Sequence, residues 1–277
     1  MMTLKKILTI AGSDTSGGAG IQADLKTFQE HGTYGMTALT VVVTMDPENW
    51  SHSVYSLPID VLKSQISTAV STGIDAIKTG MLSTEEVIET AGSAIQASGL
   101  STVVIDPVMI CKGDDEVLNP GTVDAMIEHL LPYALVVTPN LFEAGQLAGT
   151  GTPKTIEDMK DAAKKIHAHG TKNVFIKGGK GLNNETAADL LYDGQTFTLL
   201  EAPKSENHYN HGAGCTVAAA ITANLANGLE VKEAVGEAKK FVTAAIANGW
   251  KLNEFVGPVL HGAKNKFGAP EIITTEV

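Results

Sequence analysis

Arginine is absent from this chain of 277 residues, so all 20 basic residues are lysine. Without a guanidinium fork, any phosphate group must be held by lysine ammonium groups, backbone N–H groups or a metal ion. The 31 acidic residues give a net charge of −11. This charge argues against nucleic acid and against an anionic membrane as partners.

Cysteine is scarce as well, with only Cys111 and Cys215, which are far apart in the sequence. Two such residues do not make a disulfide framework, and we expect a reducing cytoplasm as the location. The apolar run at 7–11 is too short for a signal peptide. No run approaches the ~18 apolar residues that cross a bilayer. We therefore expect a cytoplasmic protein with no membrane partner.

Short apolar runs alternate with helical patterns along the whole chain. Several runs are continuous in valine, isoleucine and leucine, as in parallel strands that are buried on both faces. This alternation predicts an α/β fold with a doubly wound, mostly parallel sheet, helices on both faces and a small β-hairpin. We expect one domain spanning 1–277. The predicted strands are 7–11, 38–44, 76–79, 102–105, 135–138, 174–177, 188–192 and 196–200, the last two forming the hairpin at one sheet edge.

Helices are predicted to begin near Ile21, Pro58, Thr84, Gly121 and Thr155. Thr155 and Asp158 have the spacing of a capping box. Two further helices are predicted at 215–226 and 231–248.

Glycine is abundant, with 28 residues, and it concentrates in loops that follow predicted strands. The loop 12–20 matches neither the dinucleotide-binding nor the Walker fingerprint, so it is either a flexible turn or a loop that approaches a small ligand. The loop 177–181 places two lysines among three glycines. It is either a phosphate site or a solvated basic turn.

Acidic side chains follow two neighbouring strands. Asp106 ends one strand, and Asn140 with Glu143 begins the helix after the next. Asn140 and Glu143 could share a hydrated Mg²⁺, or Asn140 could cap the helix with Glu143 favoured by the helix dipole.

The strongest signal is the segment 210–216, which leads directly into an apolar helix. Backbone N–H groups of Gly212, Ala213 and Gly214 would form an anion hole at the helix start. Cys215 would have its thiolate favoured there, with His211 four residues before it. The alternative is a small residue that caps a buried helix. Cys111 lies in a polar loop beside Lys112 and is either reactive or incidental.

Together these segments resemble the ribokinase-like small-molecule kinases, in the branch of hydroxymethylpyrimidine kinases and bacterial pyridoxal kinases. The resemblance covers nearly the whole chain, in the family's order. The segments that carry it are 11–14, 20–26, 78–81, 106–109, 138–143 and 212–215. It implies a ribokinase-like fold with a lid loop, Mg²⁺ with ATP as the phosphoryl donor, and a hydroxymethyl group on a heteroaromatic ring as the acceptor.

The resemblance also implies roles for individual residues. Cys215 occupies the position of the catalytic base, aided by His211, and Cys111 lies on the lid. Glu143 would be the metal carboxylate, with Asp106 in the outer shell. Ala19, Asp24 and Met81 would form the ring pocket. The nucleotide pocket would comprise Asn140, Lys177, Gly178, Gly179, Lys180, Gly181, Asp189, Gly212, Ala213, Gly214 and Lys239.

Two residues favour one substrate within this branch. Met45 stands where hydroxymethylpyrimidine kinases typically carry a glutamine, and a lost hydrogen bond to a buried polar ligand costs ~1–3 kcal/mol. Cys111 resembles the lid cysteine of a dual-cysteine subgroup that acts on an aldehyde substrate. We therefore expect pyridoxal, and also pyridoxine and pyridoxamine, to be phosphorylated, giving pyridoxal 5′-phosphate in vitamin B6 salvage, by a protein that forms a homodimer.

Three alternatives remain open at this stage. The first is a hydroxymethylpyrimidine (phosphate) kinase of thiamine biosynthesis. The second is a cysteine hydrolase that uses Cys215 with His211, and the third is a vitamin-binding protein without catalysis.

Overall fold

The computed structural model describes residues 4–109, 121–182 and 184–277. The strands in these ranges are β1 (Lys6–Asp14), β2 (Tyr34–Met45), β3 (His52–Ser56), β4 (Ala76–Thr79), β5 (Val103–Ile105), β6 (Val136–Val137), β7 (Val174–Gly179), β8 (Thr186–Tyr192), β9 (Phe197–Pro203) and β10 (Ile273–Glu276). The α-helices are α1 (Gly20–Glu30), α2 (Ile59–Ser71), α3 (Glu85–Ser98), α4 (Gly121–His129), α5 (Leu141–Leu147), α6 (Ile156–His167), α7 (Ala213–Ala226), α8 (Val231–Ala247) and α9 (Ala263–Phe267). A 3₁₀ turn at Leu131–Tyr133 precedes β6.

The described strands form one ten-stranded sheet in the order β10-β9-β8-β7-β6-β5-β4-β1-β2-β3. Strands β2, β1, β4, β5, β6 and β7 are parallel, and the strands at both edges are antiparallel. The chain leaves β1 toward β2 and β3, then returns to the other side of β1 with β4. Ligands in open α/β sheets bind beyond the carboxyl ends of the strands at such a switch point.

Each face of the sheet is covered by its own hydrophobic cluster. Helices α2 to α6 pack on one face through residues such as Ile66, Ile88 and Ile166. Helices α7 and α8 cover the other face, where Ile221 and Phe241 pack with strand residues. The central strands are therefore buried on both sides, which explains their continuous apolar sequences.

The predicted fold class is confirmed, and every predicted strand is present with small shifts at its ends. Strands β3 and β10 were not predicted, because their residues lack a buried face and hence an alternating pattern. The predicted hairpin exists as the antiparallel pair β8 and β9. Its placement at the sheet edge was wrong, because β10 pairs with the outer side of β9.

Helix starts follow the predicted capping chemistry. Thr84 accepts a hydrogen bond from the backbone of Val87, and Thr155 and Asp158 form a capping box. Asn140 and Glu143 form a second capping box. The capping interpretation of Asn140 is therefore confirmed, and this same geometry fixes the Glu143 carboxylate at the carboxyl end of β6.

Candidate active site

A cavity of about 510 Å³ opens beyond the carboxyl ends of the parallel strands. Its size lies within the range of small-molecule sites, which are roughly 300–1,000 Å³. It extends from β2 and β1 across β4 and β5 to the loop after β7. The predicted site residues that line it are Ala19, Met81, Asp106, Asn140, Glu143, Lys177, Gly179, Lys180, Asp189, His211, Gly212, Ala213, Gly214, Cys215 and Lys239.

Four predicted site residues do not appear in this lining. A Cβ on Gly178, within β7, would meet the backbone of Ala188, and a Cβ on Gly181 would meet the side chain of Leu141. Asp24 is fully buried behind the wall. Cys111 lies outside the described residues, and its role stays a prediction.

Asp14, at the end of β1, organises the glycine-rich loop. Its carboxylate accepts hydrogen bonds from the backbone of Ser16 (2.8 Å), Gly18 (3.2 Å) and Ala19 (2.8 Å). Burial alone would raise the pKa of Asp14, but hydrogen bonds from His211 and Ser16 and the charge of His211 hold that pKa well below its usual range. The loop is therefore ordered rather than a flexible turn, and part of it lines the cavity.

His211 takes a different partner from the one predicted. Its Nε2 lies 2.7 Å from Asp14 Oδ2, and no hydrogen bond joins it to Cys215 within the described part of the chain. A Cβ on Gly18 would overlap the His211 ring, and a Cβ on Gly212 would overlap the Gly18 carbonyl oxygen. The two glycine segments thus touch, with the Asp14–His211 pair as their polar link.

Cys215 lies in the first turn of α7, and Gly212, with φ of 81°, precedes that helix. Burial raises the pKa of the Cys215 thiol to about 11, Lys78 opposes the increase, and Asp106 and Asp24 add to it. This direction is opposite to the expectation that the helix start favours the thiolate. Desolvation outweighs a terminal dipole of a few tenths to 1 kcal/mol.

The predicted anion hole is partly occupied by the protein itself. The Ala213 N–H donates to the Asn210 carbonyl at 3.1 Å. The N–H groups of Gly214 and Cys215 also belong to the first turn, where no earlier helical carbonyl can accept them. Gly214 and Cys215 both line the cavity, so the positive end of the α7 dipole lies at the cavity wall.

Lys78, on β4, was not predicted as a site residue. Its side chain is 0% exposed, and its Nζ lies 2.9 Å from both carboxylate oxygens of Asp24. Thr9 donates to Asp24 at 2.7 Å. Burial alone would lower the pKa of Lys78, but the charge of Asp24 raises it above its ordinary value. A lysine inside an apolar strand was the available signal, because lysine is almost never fully buried unless paired.

Three charged groups meet beyond β5 to β7. Lys177 Nζ lies 2.7 Å from Asp106 Oδ1. Burial raises the pKa of Glu143 to about 7, Lys177 opposes the increase, and Asp106 adds to it. Burial alone would lower the pKa of Lys177, but Asp106 and Glu143 raise it. The predicted phosphate lysine is thus already paired with a carboxylate.

The same cluster fits a hydrated Mg²⁺ ion. Asp106 Oδ2 is buried without a hydrogen-bond partner in the described residues. The described residues contain no group of three or more side chains suited to holding a metal ion. Mg²⁺ commonly keeps several waters and uses one or two carboxylates with substrate phosphates, so Asp106 and Glu143 are the residues that would hold it.

The far end of the cavity is built around another ion pair. Lys239 Nζ lies 2.7 Å from Asp189 Oδ2 and 2.9 Å from the Ala187 carbonyl. Asp189 Oδ1 accepts the Gly179 N–H at 2.9 Å. Lys180 donates instead to backbone carbonyls of Ser205 and Asn207. The segment 177–181 is therefore ordered, and Lys180 and Gly181 at its turn are exposed to solvent.

Met45 lines the end of the cavity opposite Lys239, which agrees with the expectation that its side chain faces the substrate. Its cross-strand neighbour on β3 is His52, which also lines the cavity. Sequence reasoning missed His52 because it missed β3.

A doubly wound sheet with these groups at its carboxyl edge defines a phosphotransferase of small molecules. Residues 14–260 match the family described as phosphomethylpyrimidine kinase. The chain belongs to this family, in its pyridoxal kinase branch, which confirms the resemblance found in the sequence.

Individual relatives narrow the comparison. The chain is 62% identical over 276 residues to a putative pyridoxine kinase of Staphylococcus aureus (strain COL), covering 100% of both. It is 56% identical over 264 residues to the pyridoxine kinase of Bacillus subtilis (strain 168), covering 95% of this chain and 97% of that one. The structure of the Staphylococcus aureus pyridoxal kinase with AMP-PCP and pyridoxal superposes with a TM-score of 0.94 at 59% identity, covering 99% of this chain and 100% of that one.

In the described residues, no helix is both long and apolar enough to cross a membrane. The cytoplasmic location expected from the cysteine content stays a prediction.

Proposed function

We propose that this chain transfers the γ-phosphoryl group of ATP to the hydroxymethyl group of pyridoxal, pyridoxine or pyridoxamine. The observation that carries the proposal is the likeness to the pyridoxal kinase that holds AMP-PCP and pyridoxal together, at 59% identity over 99% of this chain. The cavity described above is continuous from Met45 to Lys239, as a site for two substrates requires. It places a glycine-rich loop and the start of α7 side by side.

The nucleotide phosphates lie, on this proposal, over the start of α7. The N–H groups of Gly214 and Cys215 donate to phosphate oxygens, and the helix dipole favours the negative charge. Lys177 reaches the same region, because its Nζ is 3.5 Å from the position of a Cβ on Gly214. Asn140, Lys180, Asp189 and Lys239 bound the nucleotide end.

Cys215 removes the proton of the substrate hydroxymethyl group. The substrate oxygen then bonds to the γ-phosphorus, and the bond from that phosphorus to the β–γ bridging oxygen breaks with its electron pair leaving on ADP. Phosphoryl transfer gains its rate chiefly from positioning and charge stabilisation. His211 contributes by fixing the glycine loop through Asp14, rather than by contacting Cys215.

Glu143 and Asp106 would hold Mg²⁺. When bound, the ion neutralises charge on the phosphate oxygens. Lys177 screens the two carboxylates from each other, and the capping box holds Glu143 in place.

Cys111 is proposed to add reversibly to the aldehyde of pyridoxal. Its sulfur bonds to the carbonyl carbon, and the thiol proton passes to the oxygen. Pyridoxine and pyridoxamine lack the aldehyde, so only pyridoxal gains this anchor.

A homodimer is proposed as the assembly. Strand β3 is an edge strand of the described sheet and exposes Val54 and Tyr55, and such edges pair readily with another chain. Light scattering during size-exclusion chromatography measures the mass directly, and a monomer would contradict this point.

A vitamin panel tests the function. ADP release from ATP is measured with pyridoxal, pyridoxine, pyridoxamine and hydroxymethylpyrimidine in turn. Each assay is run once with Mg²⁺ and once with EDTA in its place. We expect the highest kcat/KM with pyridoxal and loss of turnover in EDTA. ADP release with hydroxymethylpyrimidine but with none of the three vitamins would assign the chain the family's other activity. The proposal is overturned if none of the three vitamins increases ADP release.

The cysteine hydrolase alternative has little support in this geometry. A nucleophilic cysteine needs an adjacent base or a lowered thiol pKa. His211 is instead paired with Asp14, and the pKa of Cys215 is raised to about 11.

A further inference from the structure

Lys78 is one of the largest fully buried side chains of the protein, yet it also lines the cavity. It lies on β4, beside the switch point of the sheet, and its cross-strand neighbour on β1 is Thr9. Nothing in the proposed phosphoryl transfer so far uses it. A buried cation at the floor of a substrate cavity therefore needs an explanation.

The ion pair with Asp24 leaves part of Lys78 available. A lysine ammonium group has three N–H donors. Two of them contact Asp24 at 2.9 Å, and the described residues provide no acceptor for the third. Asp24 itself does not line the cavity, and its second partner is Thr9. The carboxylate thus lies behind the lysine, and the lysine separates it from the cavity.

This geometry reverses the roles that sequence resemblance implies for this end of the site. Lys78 lines the cavity and Asp24 does not, so the lysine is the member of the pair that lies next to a substrate. The position of a Cβ on Gly80 is 3.1 Å from Lys78 Nζ, so a side chain at Gly80 would crowd the ammonium group.

We propose that Lys78 is a catalytic residue that contacts the reacting hydroxymethyl oxygen, and that Asp24 is the positioning residue that holds it there. The inference rests on the proposed phosphoryl transfer. Lys78 donates its third N–H to the oxygen as that oxygen loses its proton to the Cys215 thiolate. The ammonium group itself loses no proton and stabilises the negative charge, whether that charge lies on sulfur or on oxygen.

The raised pKa of Cys215 explains why such a cation is required. Cys215 accepts a proton only as a thiolate, and burial disfavours that form. Lys78 is the foremost group that acts in the opposite direction. A fixed cation in a water-excluded site stabilises a developing anion more strongly than it would in water.

The test compares two variants, because removing Lys78 alone would leave the Asp24 charge buried and unpaired. Asp24→Asn keeps the ammonium group but leaves it buried without its carboxylate partner, so this variant measures what the loss of positioning costs. Asp24→Asn combined with Lys78→Met removes the whole pair with side chains of similar volume. Thermal denaturation and ADP binding establish that both variants are folded.

The double variant should lose about a hundredfold in kcat relative to Asp24→Asn, as when one donor to a developing anion is removed. Its KM for ATP should be unchanged. Asp24→Asn alone should lower kcat by less than the double variant does, because the ammonium group is still present although its positioning carboxylate is lost. Equal kcat values for the two variants would overturn the proposal.

A second readout separates catalysis from structural support. Alkylation of Cys215 by iodoacetamide at one fixed pH near neutrality, followed by peptide mass spectrometry, reports the relative thiolate fraction. The alkylation rate should fall about tenfold or more in the double variant, because a nearby cation is lost. An unchanged rate together with unchanged kcat would leave Lys78 a structural residue. If the unmodified chain releases no ADP with any vitamin, the proposed function fails instead, whatever the alkylation shows.

Discussion

Each end of the cavity contains a buried aspartate–lysine ion pair, and the two pairs have different roles. Asp24 holds Lys78 at the β4 end, and Asp189 holds Lys239 at the β8 end, and all four side chains are buried. Asp24 lies behind its lysine and contacts it and Thr9. Asp189 lines the cavity and also binds the backbone of Gly179. Burial and pairing alone therefore do not reveal a role, whereas the position of the carboxylate relative to the cavity does.

The residue at the reacting end should give the largest effect. Cys215→Ala should lower kcat by about 10³-fold, because proton transfer by a positioned group contributes roughly 10²–10⁴-fold. The KM values for ATP and pyridoxal should change little, since the lost interaction acts in the transition state. Steady-state kinetics measure this split.

Cys215→Ser is the matched control, since it keeps a small polar side chain without a comparable base. It should resemble Cys215→Ala, while Cys215→Asp should recover part of kcat. An alanine variant with unchanged kcat would show that Lys78 and the start of α7 suffice, and it would assign the chemistry to charge stabilisation alone.

The Asp189–Lys239 pair should respond in the opposite way from the pair at the β4 end. Asp189→Ala should cost about 3–5 kcal/mol of unfolding free energy, because it leaves Lys239 buried and unpaired. Asp189→Asn with Lys239→Met should recover most of that stability. This double variant should raise KM for ATP and keep kcat within about tenfold.

Denaturant titration and steady-state kinetics give both quantities. The exposed Asp161→Asn variant serves as a control for a change of one acidic residue. If the double variant loses kcat at constant KM, the two ends are not functionally distinct and the comparison fails.

Sequence reasoning recovered the framework of the fold because the central strands are buried on both faces. Strands such as β5 have apolar sequences without interruption, and capping residues such as Thr155 mark helix starts by local chemistry. Strands β3 and β10 escaped because exposed edge strands carry no such pattern. Their pairing depends on long-range contacts that no local window contains.

The candidate site was predictable where a motif brings its own chemistry. Glycine segments and the residues after strand ends located the cavity correctly. Partner choice was not predictable, because His211 could have faced Cys215 or Asp14 equally well from its sequence position. The expected effect on the Cys215 thiol had the opposite direction from the one found in the structure, for a related reason. The pKa depends on how much protein surrounds the thiol, and this is fixed only when α1, β4 and α7 meet.

The smallest expected effect concerns a second histidine beside the start of α7. His261 is 6% exposed, and its Nε2 lies 3.1 Å from the hydroxyl oxygen of Thr216, the neighbour of Cys215. Burial, with the charge of Lys26, lowers the pKa of His261 from 6.5 to about 4. The unfolded chain therefore binds a proton below pH 6.5 that the native chain does not bind until about pH 4. Stability from neutral His261 is complete above pH 6.5 and is lost as the pH falls toward 4.

His261→Gln should flatten this dependence while it keeps a hydrogen-bonding side chain for Thr216. From pH 7 to pH 5, His261 should account for about 2 kcal/mol of lost unfolding free energy in the unmodified chain. Denaturant titrations at a series of pH values measure the slope, and the exposed His208→Gln variant is the matched control. An unchanged slope in His261→Gln would mean that folding does not lower the pKa of His261, with the start of α7 open to water on that side. Activity measured at pH 7 should be the same in both glutamine variants, because neutral His261 supports Thr216 and contacts neither Lys78 nor Lys239.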